Sequence, residues 1–173
     1  MGQPITAPLG RTVEAFRHLS GVSSDALLDA WQELAVTCAR LAAERAQPQD
    51  LADLRAIAQQ YQDLDFQVVT FDTVARLNLG FVRRIVEAAH NPILSLFVDA
   101  LIDLIYSAAA THPPGPVQMQ ELVGVHDGLV RALHTGDTEA AARRMHRHLT
   151  ALRTQISVLE PEPGVTGEES RLQ

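Results

Sequence analysis

Apolar residues recur along this chain at helical spacing. Leu27, Leu28, Trp31, Leu34, Cys38 and Leu41 fall on one stripe, which predicts a long amphipathic helix from a cap at Ser23 or Ser24 to about Arg45. Pro48 suits the first position of the next helix, whose inward residues Leu51, Leu54, Ile57 and Ala58 lead to an end near Tyr61. A third long helix is expected over residues 65–90, and the β-branched run Val68-Val69-Thr70 ahead of Phe71 marks where a break in it would fall. Asn91 and Pro92 then cap and start a helix with a broad apolar face that includes Leu94, Phe97, Val98 and Leu101 and extends to Ile105. Three prolines and a glycine within residues 112–116 demand a loop. Two last helices are expected over 117–135 and 138–159, and a short linker helix over 11–19. The pattern predicts an all-α antiparallel bundle of about six helices.

Composition narrows this further. With 173 residues, 46% hydrophobic and 20% charged, the chain fits one soluble domain with a substantial core. Residues 160–173 hold two prolines, two glycines and several carboxylates without apolar periodicity, and are expected to be a disordered acidic tail. A net charge of −7 makes the chain a poor nonspecific partner for DNA, and all 14 basic residues are arginine, a usage typical of GC-rich bacterial genomes. The lone Cys38 lies on the apolar stripe and forms no internal disulfide, which fits a reducing cytoplasm. No apolar run approaches the ~20 residues needed to span a bilayer. Met1-Gly2-Gln3-Pro4-Ile5-Thr6 matches an N-myristoylation pattern, but Pro4 stiffens it and no basic cluster supplies the second anchor that stable membrane binding requires.

The candidate chemistry lies on the last two helices. Gly136 reads as the residue that closes one and Asp137 as the N-cap of the next, with Glu139 adding negative charge to the first turn. This stop and restart aims His126 and His148 at one cavity. By residue type alone they fit two roles, polar groups satisfied in a core or side chains lining a binding site. His146 stands about 200° around the helix from His148 and is expected at the surface. His134, near a helix C-terminus, suits an exposed capping role. Arg144, one turn before His148, is either an anchor for a ligand carboxylate or phosphate or a solvated arginine.

Four stretches occur in a telling order: Leu41-Ala42-Ala43-Glu44-Arg45-Ala46, then Phe81 through Ala88-Ala89-His90-Asn91-Pro92, then the Gly136-Asp137 turn, then Met145 through His148-Leu149. Over roughly residues 24–157 the chain resembles the FCD domain, the effector-binding C-terminal half of FadR-type regulators in the GntR family of bacterial transcription factors. The resemblance implies a ligand-binding and dimerising unit over 24–159, with residues 1–23 as a linker remnant. Those 23 residues contain nothing that folds into a three-helix DNA reader, so DNA binding by this chain alone is not expected.

Many members of that family hold a divalent metal with an Asp and a His one turn apart on the fourth helix and two histidines on the last two helices. Counting back from Asn91, the first two positions fall on Asn78 and Val82, and the others on His126 and His148. Half the donor set is replaced, since an amide is a weak ligand and valine has no lone pair, so the expectation is an organic effector with no metal and no cofactor. Trp31 stands near the place of a family arginine, which makes the site more apolar. The resemblance implies a carboxylate metabolite or a fatty acyl derivative as ligand, contacted by His126, His148, Asn78, Val82, Arg144 and Trp31.

Three classes of function follow: a small-molecule sensor, an enzyme, and an interaction module that pairs with intact regulators. No Ser-His-Asp or Cys-His grouping and no HExxH proposes itself for the second. A homodimer is expected, because such domains associate through their helices and the face from Leu94 to Ile105 together with the first-helix stripe is broader than one core needs.

Overall fold

The computed structural model describes residues 6–109 and 123–157. Seven helices form there: α1 (Thr6–Ser20), α2 (Ser24–Arg45), α3 (Pro48–Gln62), α4 (Phe71–Ala88), α5 (Pro92–Ala109), α6 (Val123–Thr135) and α7 (Thr138–Ser157). The expected 112–116 loop, the first residues of the helix placed at 117, and the tail lie outside the described residues.

Local chemistry sets most boundaries. The Ser23 hydroxyl accepts from the Ala26 N–H at 3.2 Å and starts α2. Pro48 occupies the first turn of α3, where the Asp50 carboxylate accepts from the Gln47 N–H at 2.8 Å. Asn91 Oδ1 accepts from the Leu94 N–H at 3.3 Å, so Asn91 caps α5 with Pro92 as its first residue. α1 begins at Thr6, five residues before the expected start, and packs on α5.

The helix expected over 65–90 is broken. Thr70 is the cap of α4, its hydroxyl accepting from the Thr73 N–H at 3.3 Å, and α4 begins at Phe71. Ahead of it, Asp65 folds the chain into a single turn: its carbonyl accepts from the Val68 and Val69 N–H groups and its carboxylate from the Gln67 N–H at 2.9 Å. A threonine cap behind two β-branched residues outcompetes helix continuation here.

α2 is the centre of the assembly, packed by α4, α5, α6 and α7, while α3 covers α4 and α6. Its fully buried stripe is Leu28, Trp31, Ala35, Cys38, Ala39 and Ala42, whereas Leu27, Leu34 and Leu41 flank it half-buried. Small side chains on the inner line permit the close approach of α7, which contributes Ala141, Ala142 and Met145. On α5, Val98, Leu101, Ile102 and Ile105 are buried within the protomer, which leaves Ile93 and Phe97 as the exposed apolar residues of that helix among those described. The face expected to be broader than one core needs is thus largely covered by α1, α2 and α4.

Two turns use the left-handed region. His90, at φ 48°, ends α4, and its Nε2 meets Asp50 Oδ2 at 2.9 Å. Burial alone would raise the Asp50 pKa, but the Gln47 N–H, His90 and Arg84 together hold it below the usual carboxylate value. Gly136, at φ 68°, ends α6: its N–H donates to the Leu133 carbonyl at 3.2 Å, and the Asp137 N–H to the Ala132 carbonyl at 3.0 Å. Asp137 Oδ1 then accepts from the Ala140 N–H at 2.8 Å and starts α7. Gly136→Ala places a Cβ in a conformation disfavoured by about 1–2 kcal/mol, and urea denaturation should show a stability loss of that size with an unchanged m value.

Candidate functional site

Four helices bring the site together. α4 places Asn78 and Val82 one turn apart on its inner face, both buried, with Phe81 beside them. α6 contributes His126, α7 contributes His148, and α3 contributes Tyr61 in its last turn. These six positions are among the most enclosed in the protein: His126 is 1% exposed and His148 0%.

Because Asn78 Oδ1 only accepts, the His126 Nε2–H donates to it at 3.0 Å, and this fixes the tautomer with a lone pair on Nδ1. The His126 ring is held on its other sides by Phe81, with centroids 4.2 Å apart, and edge-on by Tyr61 at 4.6 Å. His148 stands edge-on to His126 at 5.2 Å. Neither nitrogen of His148 has a hydrogen-bond partner, nor does His126 Nδ1, nor the Trp31 indole nitrogen. Each buried unpaired group of this kind costs about 1–3 kcal/mol, so four such atoms are a large concession in a marginally stable fold.

Of the residues expected at the site, Asn78, Val82, His126 and His148 are brought together on neighbouring inner faces. Trp31 is buried in the same hydrophobic core as Phe81, Val82, Met145 and Leu149. Arg144 is half-buried, and its guanidinium lies so tightly over Gly128 of α6 that a Cβ there would collide with it. His134 and His146 are exposed, as their spacing implied. Sequence reasoning did not find Tyr61 as a wall of the site. α3 is brought to α6 by Gln62 Nε2, which donates to both carboxylate oxygens of Asp127 at 2.8 Å, a contact across 65 residues that no local spacing announces.

The donor set does not fit a divalent metal. Asn78 carries no charge and its oxygen is engaged by His126, Val82 has no lone pair, and two imidazoles remain where closed sites use four donors. Among the described residues no three His, Cys, Asp or Glu side chains converge. Cys38 offers no reactive thiolate, since burial pushes its thiol up to about 11.

The sequence profile of the FCD domain matches residues 26–151. The chain belongs to the FCD family, the effector-binding C-terminal domain of GntR-type regulators, a regulatory rather than a catalytic domain. No curated protein matches it. No helix among the described residues is long and apolar enough to cross a membrane.

Two predictions follow from this geometry. Burial pushes the His126 pKa down to about 4, and burial together with repulsion from His126 pushes that of His148 down to about 3. The unfolded chain takes up protons on both below pH 6.5 while the folded one does not, so this stability is complete above 6.5 and lost as the pH falls toward 4 and 3. At pH 5 the loss should be about 2 kcal/mol per imidazole, and denaturation across pH 8 to 5 should show His148→Leu removing roughly half of it. Second, Asn78→Asp with Val82→His places a carboxylate and an imidazole facing His126 and His148. Calorimetry should show Zn²⁺ binding far tighter than in the parent chain, with the double variant less stable under chelation and recovering on adding metal.

Proposed function

We propose that this chain senses a small organic effector without a metal, in the space bounded by Asn78, Val82, His126 and His148, with Trp31 on the adjoining face. The observation that carries this reading is the enclosure of four ring nitrogens with no protein partner in an otherwise apolar core. A core selected only for stability replaces such groups by apolar ones. Residues 24–159 act as the sensing and dimerising unit. The ligand is of the carboxylate or fatty acyl type. Arg144, outside the buried group and with its charge held over Gly128, reads a polar extension of the ligand where this protrudes between α6 and α7.

Effector binding favours one arrangement of α4, α6 and α7 over another, and in a regulator that shift is passed to the DNA-reading part. The chain itself, with a net charge of −7, does not bind DNA specifically. It forms a homodimer through the face bearing Ile93, 62% exposed, and Phe97, 45% exposed. The same face pairs with intact regulators if the chain acts as an interaction module.

One set of measurements tests the reading. A native mass spectrum of the purified chain should show a dimer with one organic mass per protomer, and that ligand should raise the melting temperature of the parent chain but not of His148→Leu. A monomer of about 19 kDa across micromolar concentrations removes the dimer, and equal stabilisation of the variant removes the site. Sequence-specific retardation of promoter DNA at physiological salt overturns the claim about DNA.

A further inference from the structure

The outer face of α5 is divided between α1 and solvent. Ile93, Leu96, Phe97 and Ala100 follow one another at helical spacing along one side of that helix. Ile93 and Phe97 are exposed and Leu96 is half-buried, whereas Ala100, the smallest of the four, is 1% exposed. The cover over Ala100 is α1, which packs against α5. The two helices meet at Gly10, itself buried, where a Cβ would stand 3.5 Å from the Ala100 carbonyl oxygen. An alanine fits that gap at ordinary van der Waals distance, but a β-branched side chain, stiff at its first torsion, does not.

The apolar contact that seats α1 is small. Gly10 is buried and Leu9 and Val13 are half-buried, but Leu19 is 88% exposed. A helix of 15 residues is marginal on its own in water and takes its order from such packing. α1 joins α2 through Gly21, Val22 and Ser23. Gly21 adopts φ 64°, and a Cβ placed on it would meet nothing within 4 Å. The turn that returns α1 to α5 is thus set by the backbone conformation of one glycine rather than by packing around it. A small contact and an unhindered hinge are the features of a cover that opens without unfolding what lies beneath.

With α1 in place, a second helix approaching along this side of α5 meets only Ile93, Leu96 and Phe97. Three side chains fall far short of the roughly 20–30 residues that each partner gives to a stable interface. Packed helices lie about 8–10 Å apart, close to the diameter of one helix, so α1 and a second helix cannot both lie over Ala100. With α1 lifted, the row is continuous, bulky at Phe97 and small at Ala100. Such a row is complementary to its own copy about a two-fold axis, because the bulky end of each copy then meets the small end of the other. Given the dimer face assigned under the proposed function, we propose that α1 gates self-association: it occupies the Ala100 end of the α5 face, and its release admits the α5 of a second copy of this chain, with Phe97 of each against Ala100 of the other.

Sedimentation equilibrium of the full chain gives the dimer constant, and amide hydrogen exchange reports whether α1 is seated. Gly10→Ala fits beneath the crossing and should dimerise no more tightly than the parent. Gly10→Val forces α1 off Ala100, and Gly21→Ala disfavours the turn without touching a neighbour. Both should speed exchange across residues 11–20 and tighten dimerisation at least about fivefold, with protection of α2 to α7 retained. Adding Phe97→Ser should cancel that gain. An unchanged or weaker dimer in either releasing variant overturns the gate and leaves the parent's dimer standing. A gain that survives Phe97→Ser also overturns it, since the surface uncovered is then another. Loss of protection throughout α2 to α7 in Gly21→Ala does the same, because α1 is then part of the core and not its cover. If the releasing variants dimerise and the parent does not, the gate stands and the parent's dimer fails; if no chain dimerises at micromolar concentrations, both fail.

Discussion

The seam between α2 and α7 is the constraint on which the rest of the structure depends. Ala35, Cys38, Ala39 and Ala42 on one helix and Ala141, Ala142 and Met145 on the other are small enough or pliant enough to let the two backbones run close along most of their length. The burial of this seam supplies attraction but little directional information. Register comes from its ends, where Arg153 bridges to Asp25 and Asp29 and Arg40 reaches Glu139. These pairs are largely exposed and contribute little to stability singly.

Two buried polar groups in this protein have opposite characters. Asp50 is surrounded by donors, from the Gln47 N–H, the Arg84 guanidinium and His90, and it ties the start of α3 to the end of α4. Its hydrogen bonds offset the left-handed backbone of His90, a conformation costing about 1–2 kcal/mol in an L-residue. That cluster is structural because it is satisfied from within the protein. The histidines of α6 and α7 are enclosed more deeply still, yet only His126 has a partner, on one nitrogen. A group satisfied by its own fold holds the fold, whereas one left unpaired at the same depth raises the free energy of the fold until something else pairs with it.

The same contrast shapes the inner face of α4. Asn78 is an orienting residue, since its amide oxygen fixes the tautomer of His126. Valine at 82 closes the next turn with apolar surface.

Much of this protein is written locally. Ser23, Pro48, Asn91, Gly136 and Asp137 act within a few residues of themselves, so the helix boundaries they set are legible in sequence, and so is the shared face of Asn78 and Val82, four residues apart. The break before Phe71 was legible only as a weakness, because a threonine cap and continued helix are close in energy until packing chooses. Tertiary structure alone decided that Tyr61 walls the site and that Arg144 lies over Gly128. Periodicity gives the direction a side chain takes from its own helix axis. It does not give the register of one helix against another, which is set by the volumes along a shared seam and by charges far apart in sequence.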